Sequence, residues 1–193
     1  MPDSFYLRRA VESDASAIME IVHESMEYYK QESGIKGDVL ESLSESVDSV
    51  LQRIRTQRCL CIFEHNEAEM NVADGVETSD ILLGTITIHE VSNPLKYSFS
   101  NRTFELLSQY KSCAYISRFA VTSKARKNGL GVKLIDFALT CPEFQDTGLV
   151  ILHTAIANRP MKDFYFNRGF ELLDSEHSRG YERGLFIKKK VIS

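Results

Sequence analysis

The chain has 193 residues, 43% of them hydrophobic and 26% charged, with a net charge of −4. That much apolar side chain supports one substantial core and excludes a disordered polyelectrolyte, and the longest uncharged run, residues 148–158, is too short to cross a bilayer. The charge is uneven: residues 1–96 carry a net −10 and residues 97–193 a net +6, with no basic stripe interleaved with aromatics of the kind that binds nucleic acid.

The opening MPDSFYLRRAVESD lacks the apolar centre of a signal peptide, so a cytoplasmic protein forming one domain over residues 1–193 is expected. Phe5 to Ala10 reads as a strand. Ser13-Asp14 then starts a helix with Ile18, Ile21, Val22, Met26 and Tyr29 at helical spacing, interrupted at Gly34 and Gly37. Asp38 with Glu41 has the spacing of a capping box, and Leu40, Leu43, Val47, Val50, Leu51 and Ile54 predict a second amphipathic helix.

Cys59 to His65 and Ile81 to Val91 read as an antiparallel strand pair joined by an acidic loop. Residues 92–112, beginning at Asn93-Pro94 and helix-like over Thr103 to Tyr110, form a candidate substrate-side insertion. Ala114 to Val121 is a strand, followed by a glycine turn and a helix with Leu130, Leu134, Phe137 and Ala138 on one face. Leu149 to Ala155 has the apolar, β-branched character of a buried strand. Asn158 to Arg168 predicts a short helix with Pro160 in its first turn and Gly169 beyond its end, and Phe170–Leu173 and Tyr181–Lys189 close the sheet. The predicted order is β-α-α-β-β-β-α-β-α-β-β, a mixed α/β sheet with helices on both faces.

The turn Arg126-Lys127-Asn128-Gly129-Leu130-Gly131, leading into Val132 and the helix, has the chemistry of a diphosphate cradle. Two residues without side chains let main-chain N–H groups come within about 3 Å of a phosphate oxygen, and the helix contributes unpaired amides and its positive dipole end. A Walker A loop is absent, and the third glycine of a dinucleotide fingerprint is replaced by Leu134. The four cysteines (Cys59, Cys61, Cys113 and Cys141) have no metal-ligand spacing and read as reduced, buried thiols; no metal is expected. The acidic excess of the first half suggests attraction of a cationic acceptor such as a polyamine, aminoglycoside or lysine-like amine.

Phe119-Ala120-Val121, then Arg126-x-x-Gly129-x-Gly131, then Asn158, then Phe164-Tyr165-Phe166-Asn167-Arg168-Gly169-Phe170 resemble, in order and spacing, the GNAT superfamily of acyl-CoA N-acyltransferases. The opening LRRAVESDASAIMEI resembles that family's first strand and helix, so the likeness covers nearly the whole chain. The resemblance implies a mostly antiparallel sheet with a central splayed strand pair. It also implies acetyl-CoA as co-substrate and transfer of its acetyl group to a primary amine of a small molecule, peptide or protein by direct attack in a ternary complex.

On this resemblance, Phe119, Ala120 and Val121 pair through their main chain with the pantetheine arm, and an amide near Val121 faces the thioester oxygen. Arg126, Lys127, Asn128, Gly129, Leu130, Gly131 and Val132 hold the diphosphate, and Asn158 and Phe164 border the arm. Tyr165 protonates the departing thiolate. Asn158 also suits a helix N-cap, and Tyr165 the core face of a short helix. Tyr115 stands where many relatives have a glutamate base, leaving His89, Glu90, or Ser117 with a water as candidates, or no dedicated base. Ser117-Arg118-Phe119 also resembles acyl-homoserine-lactone synthases, although Arg118 equally suits an arginine paired with a carboxylate. A non-catalytic acyl-CoA sensor is the alternative from another functional class. A homodimer through the sheet edges is compatible with the pattern.

Overall fold

Leu149, Val150, Ile151 and Leu152 are four successive apolar residues, and all four are buried. Side chains alternate across a strand, so this pattern requires cover on both faces of the sheet. A computed structural model describing residues 5–65 and 80–190 supplies that cover. The expected acidic loop falls mostly on 66–79, outside the described residues.

Among the described residues, seven strands form one sheet: β1 (Phe5–Arg9), β2 (Arg58–Glu64), β3 (Ile81–Val91), β4 (Cys113–Val121), β5 (Leu149–Ala155), β6 (Glu171–Glu176) and β7 (Arg183–Lys189). Their order is β1-β2-β3-β4-β5-β7-β6, and every neighbouring pair is antiparallel except β4 with β5. The helices are α1 (Ala15–Glu32), α2 (Val47–Thr56), α3 (Asn101–Leu107), α4 (Ser123–Lys127), α5 (Leu130–Leu139) and α6 (Arg159–Phe166). Among the described residues, no helix is long and apolar enough to cross a membrane.

One core lies beneath α5 and α6, where Leu134, Ile135 and Tyr165 meet Leu60, Ile62, Ile86, Val150, Leu152 and Phe186. On the opposite face, Ile18, Val22, Val50 and Ile54 pack on Cys59, Cys61 and Phe63. A third cluster brings Leu107 and Cys113 onto Leu149, Ile151 and Leu185. Each fully buried Leu, Ile or Val contributes about 1.5–3 kcal/mol of transfer free energy, so these two-sided contacts dominate the driving force. All four cysteines are buried and free, and burial pushes Cys61 and Cys113 up to about 12, so these thiols stay protonated at neutral pH.

Local signals explain the boundaries. Asp14 accepts two bonds from Arg8, at 2.7 and 2.9 Å, and one from the Val11 amide at 2.7 Å, which fixes the turn from β1 into α1. The expected second helix is broken. Asp38 faces Lys30 rather than capping a helix, Glu41–Ser44 forms a short 3-10 turn, and Glu45 is extended at φ −64°, ψ 136°. Ser46, accepting from the Ser49 amide at 3.2 Å, is the true N-cap of α2. The break turns the Glu45 carboxylate inward. Two short helices exceed the predicted order: α3, which starts two residues before the expected piece and ends three short of it, and α4, capped by Thr122. Phe137 lies off the core face of α5, where Ile135 is buried instead.

The centre of the sheet is irregular in two ways. β4 pairs with β5 only at Ala114↔Val150 and Tyr115↔Ile151, so the two strands part beyond Tyr115. Across the β3 ladder, Thr87 faces Ser117 while Thr85 faces Ala120, so Arg118 and Phe119 together oppose Ile86: a β-bulge. Arg118 sits at φ 51°, the one non-glycine residue with positive φ among those described.

Candidate active site

The split between β4 and β5 opens into a cavity of about 990 Å³ running from the α4–α5 turn to the start of α2 and the segment after β3. The main chain beside it follows from the ladder. The Thr122 amide donates to Leu83 O at 2.9 Å, and hydrogen-bonded positions alternate along an antiparallel pair. Val121, opposite Gly84, therefore turns its N–H and C=O away from β3 and toward the split. These are main-chain groups without a strand partner beside them, the property expected of an edge that pairs with an extended ligand.

At one end, Gly129 is the N-cap of α5 with φ 68°, and the helix begins at Leu130, one residue before the second glycine of the turn. A Cβ built on Gly129 would meet nothing within 4 Å, so open space lies against this backbone. One built on Gly131 would meet Phe119 Cζ at 3.2 Å, so that glycine lets Phe119 lie flat beneath the helix start, stacked on Phe164 at 5.4 Å. The Leu130 and Gly131 amides have no backbone acceptor among the described residues, whereas the Val132 amide is used by Gly129 O. Arg126 lies over the Tyr28 ring at 4.2 Å on the cavity rim. Two open amides, a helix dipole and an arginine fit a diphosphate.

At the middle of the cavity stands Tyr165, buried against Phe170 and Phe186. Burial raises its phenol well above the ordinary range, with the Tyr29 and Tyr115 phenols adding to the effect, so it remains a proton donor at any working pH. Asn158 is also buried: its Oδ1 accepts from the Met161 amide and its Nδ2 donates to Ser33 Oγ, both at 3.0 Å. The N-cap reading thus describes its contacts in this structure, and the residue still borders the cavity.

The third region was only partly visible in the sequence. Tyr115 bonds His153 Nδ1 at 3.1 Å and stacks in parallel on Tyr97 at 4.8 Å, and His89 meets the Tyr115 ring edge. Burial, with the charge of Arg183, pushes His153 down to about 3; burial, with Lys96, also lowers His89, so both imidazoles are neutral at pH 7. Beside them Arg118 Nε donates to Glu45 Oε1 at 2.6 Å, and Arg53 bonds the same oxygen. Burial opposes ionisation of Glu45, but the hydrogen bond from Arg53 and the charge of Arg118 outweigh it and hold the carboxyl below its usual range.

The family model described as the acetyltransferase (GNAT) family matches residues 36–170. The chain belongs to that family. Membership supports acyl transfer as the chemistry of this GNAT fold. No curated protein matches the chain. Among solved structures it is similar to the PaiA N-acetyltransferase of Thermoplasma acidophilum in complex with coenzyme A, at 18% identity and a TM-score of 0.66 over 97% of this chain and 99% of that one. It is also similar to Arabidopsis thaliana NAA60 in complex with acetyl-CoA, at 16% identity and a TM-score of 0.68 over 96% and 98%. A third is a spermidine N-acetyltransferase SpeG chimera from Vibrio cholerae and human SSAT, at 14% identity and a TM-score of 0.55 over 97% and 96%. Identities this low speak to the fold alone.

Of the residues singled out in the sequence of this GNAT protein, Phe119, Arg126, Gly129, Gly131, Val132, Asn158, Phe164 and Tyr165 line the cavity. Ala120, Val121, Lys127, Asn128 and Leu130 do not form its wall: Ala120 and Leu130 are core residues, and Lys127 and Asn128 face solvent on α4 and the turn. Of the candidate bases, His89 and Ser117 reach the cavity, and Glu90 does not. Reading the sequence missed Tyr29, whose hydroxyl accepts from the Ala155 amide at 2.5 Å on the open edge of β5, and His153. It also missed Glu45 and Arg53. His153 had one signal, as the single ionisable residue in an otherwise apolar strand. Among the described residues, no group of three or more His, Cys, Asp or Glu side chains is arranged to hold a metal ion.

Proposed function

We propose that the protein transfers the acetyl group of acetyl-CoA to a primary amine, with both substrates bound together. The observation that carries this reading is the parting of β4 from β5 beyond Tyr115, with the outward-turned peptide of Val121 on one side and the Gly129–Gly131 turn at its mouth. A pantetheine arm laid along β4 would complete the missing ladder and bring its thioester to the bulge. The diphosphate would then lie on the Leu130 and Gly131 amides beside Arg126.

The amine nitrogen attacks the thioester carbonyl carbon, and charge builds on the carbonyl oxygen, for which the Val121 amide is the available donor. Collapse breaks the C–S bond, the thiolate takes a proton from the Tyr165 hydroxyl, and the surplus amine proton, passed through water, restores that hydroxyl, so the phenol ends the cycle as it began. Burial keeps the Tyr165 phenol protonated and makes it a weaker acid than an ordinary phenol of pKa about 10, so against a thiolate of parent pKa about 8.5 it acts as a relay, giving up one proton as it receives another. Holding both reactants in one cavity supplies the orientation that replaces a covalent intermediate, and the buried, protonated thiols of Cys61 and Cys113 offer no competing nucleophile.

Calorimetric titration with acetyl-CoA, followed by release of CoA measured with a thiol reagent across a panel of amines, tests the reading. Uptake with amine-dependent CoA release supports it. Uptake with no release from any amine would favour the sensor alternative, and absence of uptake would overturn the assignment.

A further inference from the structure

The cavity carries more positive than negative charge on the side away from the glycine turn. Among the described residues, six lysine or arginine side chains line the cavity against two glutamates, Glu32 and Glu41, and of these six only Arg126 belongs to the diphosphate end. Arg179 and Arg183 are neutralised by Glu41 and Glu176, at 2.7 and 2.8 Å. Lys96 has no ion pair among the described residues and lies over the Tyr97 ring. Arg53 and Arg118 share one carboxylate, Glu45, whose side chain is only 7% exposed and does not line the cavity, whereas both arginines do.

Arg118 is the better placed of the two. It occupies the bulge, the point of β4 that a thioester lying along the strand would reach. Its Nε is pinned by Glu45, and its two terminal nitrogens have no hydrogen-bond partner among the described residues and are not sealed from solvent. Arg53, on the same carboxylate, has its Nε and Nη2 buried and without a partner among the described residues, a cost of about 1–3 kcal/mol for each group left unsatisfied. The left-handed backbone at Arg118 is a further cost of the kind that collects at functional sites. A guanidinium held by its Nε and open at its fork matches the two oxygens of a carboxylate.

We propose that the acceptor is an amine that also bears a carboxylate, an amino acid or a close analogue, and that Arg118, backed by Glu45 and Arg53, receives that carboxylate at the bulge. This inference rests on the acetyl-transfer reading above. It runs against the polyamine or aminoglycoside acceptor suggested by overall charge, because a polycation would meet uncompensated arginine and lysine at the reacting end. The acidic excess of the first half lies in part on residues 66–79, outside the described residues, whereas at the bulge the single Glu45 carboxylate is shared by Arg53 and Arg118 and leaves a net positive charge.

The test compares the common L-amino acids with their carboxamides as acceptors, with spermidine in the same panel, after acetyl-CoA binding has been confirmed by titration. The acids should exceed their amides in kcat/KM by about 10- to 100-fold, the range of a charge-assisted contact. Arg118→Asn, chosen because asparagine tolerates positive φ, should collapse that preference mainly through KM for the acid, with acetyl-CoA affinity unchanged. Arg118→Lys should keep part of it, since the charge remains and the fork is lost.

Amides or spermidine used as well as the acids, or a preference that survives Arg118→Asn, would overturn the inference while leaving acetyl transfer standing. Should acetyl-CoA bind and none of these amines be acetylated, calorimetry of N-acetyl amino acids against their amides on the CoA-loaded protein decides the same question. Equal binding overturns the inference. A protein that takes up no acetyl-CoA fails at the earlier step and condemns the acetyl-transfer reading instead.

Discussion

The Tyr115 hydroxyl and His153 Nδ1 lie 3.1 Å apart just where β4 and β5 begin to part, Tyr115 at their last paired rung and His153 two residues beyond it on β5. An aromatic layer covers the pair, with Tyr97 stacked on Tyr115 and Phe99 tilted against His153. The histidine is thus held neutral at the hinge of the split, and its folded-state value near 3 lies below the ordinary value of 6.5. In the unfolded chain His153 takes up a proton as pH falls through about 6.5, and in the folded protein only near 3. Stability should therefore decline as pH drops through that window and gain no further loss from this group below it. Thermal melts at pH 7.5, 6, 5 and 4 should fall more steeply for the native chain than for His153→Gln. Parallel curves would show that another group controls acid sensitivity.

Tyr165 is surrounded by Phe164, Phe170 and Phe186 and is kept protonated by burial. Tyr165→Phe preserves ring packing and removes only the hydroxyl. Turnover should drop by about 10²-fold or more, the usual contribution of a positioned proton donor, with affinity for acetyl-CoA unchanged. The native enzyme should show no alkaline loss of activity below pH 10 assignable to this phenol. Unchanged kcat in the variant would leave Tyr165 as packing alone.

Periodicity made most of this fold legible. Leu149–Ala155 reads as a doubly covered strand because apolar residues at consecutive positions have no other stable arrangement, and the Asn158–Pro160 start and Gly169 stop frame α6 through local chemistry. The glycine turn was legible for the same reason: it is written in two glycines one residue apart, the first of which takes the left-handed conformation. What could not be read depends on contacts between residues far apart in sequence. Glu45 interrupts a helical pattern that Leu43 and Val47 would otherwise continue, and it turns inward because Arg118, 73 residues later, lies opposite. β7 inserts between β5 and β6, a pairing that no local signal in Tyr181–Lys189 encodes. His153, Tyr29 and Arg53 are ordinary strand and helix residues until the sheet brings them to one cavity.

Gly129 combines positive φ with open space above its Cα, so its two properties separate by substitution. Gly129→Ala should cost about 1–2 kcal/mol from left-handed backbone strain alone. Gly129→Asn tolerates that backbone at smaller cost, yet it projects an amide into the volume assigned to the diphosphate. The asparagine variant should melt close to the native protein and bind acetyl-CoA at least about tenfold more weakly, the effect of losing one charge-assisted contact. Undiminished affinity in calorimetry would remove the turn from the cofactor site.

Gly84 tests the bulge without touching the cavity. It faces Val121 across the β3–β4 ladder, and a Cβ there would lie 2.8 Å from Val121 Cγ1 and 3.0 Å from Ala120 O. The first neighbour is a β-branched side chain with little rotamer freedom and the second is backbone, so neither yields cheaply. The close approach of β3 is what lets β4 fold Arg118 and Phe119 outward opposite the single residue Ile86. Gly84→Ala should therefore lower stability by about 1–3 kcal/mol, as overpacking does, and displace the Val121 peptide from the split. Denaturant unfolding measures the first effect. The second predicts a fall in kcat larger than the change in acetyl-CoA affinity, because the thioester oxygen loses its donor while the glycine turn, 45 residues away in sequence, keeps the diphosphate. A variant as unstable as expected but with native kcat would show that the Val121 amide contributes nothing to the reaction.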